Sequence, residues 1–205
     1  MSNRANLHTV GTFFLRTLVA LAVPSVVLAH PGHEHLSNDM FSIGVMHPLT
    51  GLDHLFAMFA VGLWAALTHT NIRGAIWTPL SFLCWLLIGG ILGVVGVSLP
   101  AIEPMIMASL FVFGLLVLSR ISIPRWAGVM LVGLFAVFHG IAHGSELPAS
   151  GNAVTFFAGF MLTTLILHVT GLAAGFMLKN HNVWLTRVAG AGIATYGLFL
   201  LIPIV

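Results

Sequence analysis

The sequence predicts an all-α integral membrane protein, a bundle of six transmembrane helices that follows an N-terminal signal peptide. Three observations lead to this fold class: an extreme apolar composition, repeated apolar runs of membrane-spanning length, and basic residues confined to alternate connections. Of the 205 residues, 59% are hydrophobic and 6% are charged, and the mean hydropathy is +1.07. A soluble domain has about 45–50% apolar residues, so we expect most of this chain to lie in a lipid bilayer.

The leader is the first element of this prediction. Arg4 and Arg16 precede an apolar core of about 12 residues, 17–28, which is too short to span a membrane. Short side chains at Val27 and Ala29 are typical of a signal peptidase site. We therefore predict a signal peptide at residues 1–29 and a mature chain that begins at His30, with an uncleaved anchor helix as the alternative. Residues 30–43 would be a histidine-rich periplasmic segment.

The rest of the chain, residues 44–205, is expected to form one transmembrane domain. The predicted spans are about 44–68, 75–97, 103–119, 125–146, 153–178 and 184–203. The basic residues beyond the leader all fall in the first, third and fifth connections: Arg73, Arg120, Arg125, Lys179 and Arg187. Because basic residues stay on the cytoplasmic side, both mature termini should be periplasmic and the protein should be a multi-pass protein of the bacterial inner membrane.

Small residues predict how the helices pack. Gly89/Gly93, Gly140/Gly144 and Gly171/Gly175 are three GxxxG pairs, and such pairs let helix backbones approach closely in lipid. We therefore expect a tight bundle. Cys84, the single cysteine, lies in an apolar run and is expected to be a small buried side chain.

Composition and motifs also exclude functions. Seven basic and five acidic residues form no basic cluster, which argues against a nucleic-acid partner and leaves the lipid bilayer as the expected surroundings. Neither a GxSxG nor a Walker motif is present. We therefore predict that the chain is not an enzyme and carries no prosthetic group.

Two polar clusters interrupt the apolar spans. The first span opens HPLTGLDHLF, in which His47 and His54 are seven residues apart and would share one helical face, with Asp53 about 100° to the side. Pro48 suits the first turn of a helix, where its missing N–H does little harm.

The second cluster is FHGIAHGSE in the fourth span, where His139, His143 and Glu146 lie within about 60° of one another on a helix. Ionisable groups at membrane depth cost a few kcal/mol each, so they normally face the bundle interior and serve a ligand site or pathway. The alternative is polar residues that join helices by hydrogen bonds. Imidazole and carboxylate together suit divalent ions such as those of nickel, cobalt and zinc.

The two clusters carry a resemblance to a known family. HPLTGLDH, residues 47–54, resembles the HPxxGxDH signature of the HupE/UreJ family, and FHGIAHGSE resembles its FHGxAHGxE signature, both without departure. The similarity extends over the whole chain. Members of the family are bacterial nickel permeases, often encoded beside hydrogenase or urease genes, and some are assigned to cobalt.

The resemblance implies uptake of Ni²⁺ from the periplasm, with Co²⁺ as the alternative cargo and nickel enzymes such as hydrogenase or urease as recipients. The metal-handling residues it implies are His47, Asp53, His54, His139, His143 and Glu146. His168 also looks like a family position and would be a relay ligand near mid-membrane or a structural histidine. His30, His33 and His35 are candidates for gathering metal at the mature N-terminus, although a disordered tail binds weakly.

Antiparallel first and fourth spans would arrange these residues in two tiers. His47 and Glu146 would form the outer tier, and His54 and His139 would lie about 10 Å deeper, with His143 between. We expect the two helices to be direct neighbours. The rival interpretation is a membrane metalloenzyme that uses the His139/His143 pair, as di-iron desaturases use HxxxH motifs, but such enzymes need more histidines on the cytoplasmic face.

Overall fold

The computed structural model describes residues 36–148, 151–180 and 182–202, and all regular structure in these ranges is helical. The predicted signal peptide at residues 1–29 and His30, His33 and His35 lie outside the described residues. The helices are α1 (Leu36–Thr50), α2 (Leu52–Thr68), α3 (Ile72–Ala75), α4 (Trp77–Val94), α5 (Ile102–Ser119), α6 (Arg125–Ser145), α7 (Ala153–Leu178) and α8 (Val183–Leu201).

Five stretches within this part of the chain are long and apolar enough to cross a membrane: Ile72–Val94, α5, α6, α7 and α8. Large apolar side chains such as Ile91, Met130 and Phe199 are more than half exposed on the outside of the bundle, as lipid-facing residues would be. Cys84 is exposed as well, so its predicted burial is wrong; an outward face in lipid accepts a small apolar side chain without a protein core around it. The chain has the structure of a multi-pass helical membrane protein.

The first predicted span, about 44–68, differs most from the prediction. It is a pair of helices, α1 and α2, bent by 78°. Gly51 between them has extended backbone angles, and the Thr50 hydroxyl donates to the His47 carbonyl at 2.9 Å to close the end of α1. Pro48 therefore lies in the last turn of α1, not in the first turn of a span. Counted as one broken span, the pair would bring the number of crossings to six.

Helix α2 lies in the middle of the bundle. Every residue from Ala60 to Leu67 is buried, and the helix packs against both α7 and α5. The long helix α7 contacts both halves of the broken pair, since α1 lies against its first turns and α2 against its second half. The Thr163 hydroxyl of α7 donates to the Val45 carbonyl of α1 at 2.8 Å, which joins the two helices inside the bundle.

Glycines let several helices pack backbone against backbone, as the sequence predicts. A Cβ at Gly89 or Gly93 of α4 would overlap carbonyl oxygens of α6, and a Cβ at Gly140 or Gly144 of α6 would overlap carbonyl oxygens of α4. The third pair, Gly171/Gly175, lies against α2 in the same way. Backbones that touch directly leave no room for rearrangement, so α4 and α6 form a rigid unit.

The basic residues gather at one end of the bundle. Lys179, at the end of α7, donates to the carbonyl of His69 beyond the end of α2. The Arg120 guanidinium, at the end of α5, donates to the Lys179 carbonyl at 3.1 Å. Cations stabilise helix C-termini because carbonyl groups there lack partners. The polar clusters lie at the other ends of α2 and α6, so the bundle has one basic end and one histidine end.

Candidate metal-binding site

Three helix ends bring the polar clusters together. His47 lies in the last turn of α1, Asp53 and His54 lie in the first turn of α2, and His139 and His143 lie in the last two turns of α6, with Glu146 directly after it. The bend at Gly51 allows this arrangement, because it turns the end of α1 and the start of α2 toward the same space. Gly51 must also be small: a Cβ there would lie 2.7 Å from Asp53 Oδ1.

His47, His143 and Glu146 form an outer group whose potential ligand atoms all lie within 4.8 Å of one another. Glu146 Oε2 is 4.0 Å from His47 Nε2 and 3.6 Å from His143 Nδ1. The Glu146 side chain is 63% exposed. The neighbouring His143 ring lowers the pKa of the Glu146 carboxyl from its ordinary value, so the group is an anion at neutral pH and attracts cations to this end.

The outer group opens into a cavity of about 120 Å³ that has room for several water molecules. Apolar side chains line most of it, and the polar groups among its lining are His47, His143 and Glu146. The aromatic rings of Phe156 and Phe160 stand against the His47 ring, with centroids 5.7 and 5.9 Å away. The walls beside the nitrogen and oxygen atoms of the outer group are therefore apolar.

His54, His139 and His143 form an inner group, also with potential ligand atoms within 4.8 Å of one another. The centroid of the His54 ring is 4.4 Å from that of His143 and 5.0 Å from that of His139. All three residues are buried. His54 Nε2, His139 Nδ1 and both ring nitrogens of His143 lack a hydrogen-bond partner within the described part of the chain. Buried polar atoms without partners are rare, and here several belong to rings that lie against one another.

Asp53 occupies a different position from that predicted. It belongs to neither group; its Oδ1 lies 3.0 Å from His54 Nδ1. An ionised carboxylate can only accept hydrogen bonds, so Nδ1 of His54 donates and the lone pair of the ring is on Nε2. That nitrogen is the one in the inner group without a partner. Carboxylates that hold histidine ligands in this way are common around metal ions.

The residues predicted to pair in the two tiers lie close together, His47 with Glu146 and His54 with His139. The backbones of α2 and α6, however, do not pack closely. Helices α2 and α6 are absent from the closely packed pairs of the described chain. They meet through side chains: the His54 and His139 rings at one end, and the Trp64 ring of α2 against Gly128 of α6 at the other. The rings need the space that direct backbone packing would fill. The two helices are therefore neighbours through their side chains and not through close backbone packing, and the predicted convergence of the histidines is present.

His168 is separate from both groups. It is fully buried on α7. The Phe82 ring contacts both His168 and His139 of the inner group, with its centroid 5.0 Å from that of His168 and 5.8 Å from that of His139. Neither ring nitrogen of His168 makes a hydrogen bond in the described chain. An aromatic side chain therefore lies beside both the predicted relay position and the inner group.

Phe82 and Phe160 are among the site residues that the sequence analysis missed. The Phe160 ring lies 4.6 Å from the His143 ring, and the Phe82 ring contacts both His139 and His168. Both are among 15 phenylalanines in apolar runs, so neither spacing nor composition distinguishes them from lipid-facing or core residues.

Comparison with known proteins places the chain in a family. The family described as HupE / UreJ protein matches residues 18–200 of the chain. Protein HupE of Rhizobium leguminosarum bv. viciae is 40% identical to the chain over 188 residues, which cover 91% of this chain and 95% of that protein. No solved structure matches the chain. The chain belongs to the HupE/UreJ family.

Proposed function

We propose that the chain imports Ni²⁺ from the periplasm into the cytoplasm, with the ion as cargo. The observation that carries this proposal is the sharing of His143 between an exposed outer group and a buried inner group at one end of the bundle. Two sets of donors in series, the first open to water and the second enclosed, suit an ion that enters and moves on. Family membership, shown by the match over residues 18–200, supports a role in metal handling.

The outer group would capture the ion. Two imidazoles and a carboxylate are ligands that borderline divalent ions accept, and Glu146 supplies the negative charge at the exposed end. The adjoining cavity has room for several waters, so an ion could keep part of its hydration shell there. Capture would therefore begin before the ion loses all of its water.

The inner group would replace more of that water with nitrogen ligands. His54, His139 and His143 offer three imidazoles in a buried space, where a bare cation would otherwise lose a large hydration energy. His143 would remain bound while Glu146 and His47 are exchanged for His54 and His139. Neither of its ring nitrogens makes a hydrogen bond in the described chain, and the contact with Glu146 Oε2 at 3.6 Å is too long to be one, so the ring is available to the ion throughout that exchange.

Passage beyond the inner group would go by way of Phe82, whose ring contacts both His139 and His168. His168, with both ring nitrogens lacking a well-formed hydrogen bond, would be the next ligand on the way to the basic end. The membrane potential can drive this step. Moving a divalent ion through 100 mV is worth about 4.6 kcal/mol, which supports a gradient of roughly a thousandfold.

This proposal includes an orientation. The histidine end would face the periplasm and the basic end the cytoplasm, in agreement with the positive-inside rule. The broken pair α1–α2 would count as the first of six spans, and both mature termini would be periplasmic in the inner membrane. The imported ion would supply nickel enzymes such as hydrogenase or urease, as the resemblance implies.

Competitive uptake tests the cargo. Cells that lack their own nickel importers and express the protein should accumulate radioactive Ni²⁺ at low external concentration, because the paired donor groups offer ligands that this ion accepts. Unlabelled Co²⁺ added in excess should reduce this uptake weakly if nickel is the cargo and strongly if cobalt is. Accumulation equal to that of cells with an empty vector would refute the transport proposal and leave the metalloenzyme alternative.

A further inference from the structure

One buried hydroxyl outside the two donor groups contacts the inner group. Ser109 of α5 is completely buried, and its Oγ lies 3.0 Å from His139 Nε2. The same Oγ lies 2.6 Å from the Ile106 carbonyl oxygen one turn earlier. Helix α5 contributes no residue to either donor group, so Ser109 contacts the site from a helix that supplies no ligand.

The two contacts of Ser109 determine where its hydrogen points. A serine hydroxyl has one hydrogen to donate, and a carbonyl oxygen can only accept. Both contacts are hydrogen bonds only if Ser109 donates to Ile106 and accepts from the ring. His139 must then carry its proton on Nε2, and the lone pair of the neutral ring is on Nδ1.

The environment of Nδ1 agrees with this assignment. Nδ1 of His139 is buried and lacks a hydrogen-bond partner, and the His54 ring lies against the His139 ring, with centroids 5.0 Å apart. A proton on Nδ1 would be buried without an acceptor, whereas a lone pair there is available to a cation. His54 shows the same pattern, since Asp53 occupies Nδ1 and leaves Nε2 unpartnered.

We propose that Ser109 is a positioning residue that fixes His139 as the Nε2–H tautomer and presents Nδ1 to the ion. This inference rests on the proposed function for the role of Nδ1, but the tautomer itself does not depend on it. Ser109 and Asp53 then act alike on two ligands of the inner group, one through a hydroxyl and the other through a carboxylate. Groups of this kind typically change metal affinity by about ten- to a hundredfold when removed.

The tautomer can be measured on the unaltered protein without metal. ¹⁵N NMR of histidine-labelled protein in lipid nanodiscs separates protonated from unprotonated ring nitrogens, and His139→Gln identifies the His139 signals by their loss. We expect Nε2 of His139 to be protonated and Nδ1 to be bare. A proton on Nδ1 would overturn the inference, and this measurement needs no variant of Ser109 to fold.

Two serine variants test the effect on the ion. Ser109→Ala removes the acceptor for His139, whereas Ser119→Ala on the same helix removes a hydroxyl that bonds only the Leu115 and Leu116 carbonyls of its own helix. Ni²⁺ titration should show about ten- to a hundredfold weaker binding for Ser109→Ala and unchanged binding for Ser119→Ala. Equal affinities of the two variants would overturn the positioning role.

The same experiments separate this inference from the proposed function. If the unaltered protein binds no Ni²⁺ while His139 is the Nε2–H tautomer, the transport proposal fails and the tautomer assignment stands. If the protein binds and transports Ni²⁺ with His139 protonated on Nδ1, the transport proposal stands and Ser109 does not position His139.

Discussion

At the scale of single residues, the main feature of this protein is a set of buried imidazoles without partners. His54, His139 and His143 present ring nitrogens to one another that make no hydrogen bond in the described chain. An unsatisfied buried polar atom costs about 1–3 kcal/mol, so several in one place are unfavourable for folding alone. A cation that binds between them would offset this loss, which is the physical reason to regard them as ligands.

Removal of one inner ligand should therefore abolish transport. We expect His54→Ala and His139→Ala to reduce Ni²⁺ uptake to the background of cells without the protein, because two imidazoles cannot replace the water of a buried ion. His69→Ala is the matched control, since His69 lies at the basic end and hydrogen-bonds the Ala65 carbonyl at 2.9 Å. Radioactive uptake and the amount of each variant in the membrane are measured together. Normal uptake by both inner variants would disprove the ligand assignment.

The contact between Asp53 and His54 leads to a graded prediction. Asp53→Asn keeps an oxygen that can accept from His54 Nδ1, so uptake at low Ni²⁺ should fall by less than about tenfold. Asp53→Ala leaves Nδ1 without its partner and should weaken uptake by about ten- to a hundredfold. Concentration dependence of uptake distinguishes the two variants. An Asn variant as impaired as the Ala variant would indicate that the carboxylate charge itself holds the ion.

At the scale of helices, the site depends on how α4 supports α6. Gly140 and Gly144 alternate with His139 and His143 along α6, so one face of the helix touches the α4 backbone while a neighbouring face presents imidazoles. The interlocked glycines fix the rotation and depth of α6 relative to α4. The glycines on one face of α6 therefore determine where the histidine ligands on its neighbouring face lie.

Filling this interface should damage both stability and the site. In Gly140→Ala the new Cβ would overlap the Leu86 carbonyl oxygen, and such overpacking costs about 1–3 kcal/mol. Gly192→Ala on α8 is the matched control, because a Cβ there meets nothing within 4 Å. We expect a lower thermal unfolding midpoint and reduced Ni²⁺ binding for Gly140→Ala, and neither change for Gly192→Ala. Equal midpoints for the two variants would contradict the packing argument.

At the scale of the whole molecule, charge separates the two ends of the bundle. Arg120 and Lys179 hydrogen-bond backbone carbonyls at one end, while Asp53 and Glu146 accompany the histidines at the other. A cation that approaches the histidine end meets carboxylates. The arginine and lysine side chains lie at the opposite end, where the cation would leave. This asymmetry agrees with import driven by a membrane potential that is negative on the basic side.

Orientation can be tested with reporters. A periplasm-specific reporter fused after Val205 should be active, and one placed in the connection at Asn71 should be inactive, because basic residues remain in the cytoplasm. N-terminal sequencing of the membrane form should begin at His30. A cytoplasmic C-terminus would contradict the proposed orientation, and a membrane form that begins at Met1 would show that the leader is retained as an additional helix.

The sequence by itself determined the class of the protein and the identity of the clustered residues. Apolar runs of bilayer length can satisfy their backbone groups only as helices, so the ranges of the later spans follow from composition; α7 begins and ends where the sequence predicts, at Ala153 and Leu178. GxxxG spacing also identified two tight interfaces, α4 with α6 and α2 with α7, because close packing in lipid requires small residues. The single glycines Gly114 and Gly190, which let α5 and α8 approach closely, carry no such spacing. The two histidine motifs were evident because ionisable side chains are rare in such runs.

Only the tertiary structure decided how those residues meet. The break at Gly51 is a local choice of backbone angles that apolar periodicity does not reveal, and it places His47 and His54 on different helices. Whether a carboxylate such as Asp53 faces an ion or a neighbouring ring depends on side-chain geometry of a few ångströms. Phe82, Phe160 and Ser109 belong to the site because distant segments pack there, and side chains so common in membrane helices give no signal until that packing is known.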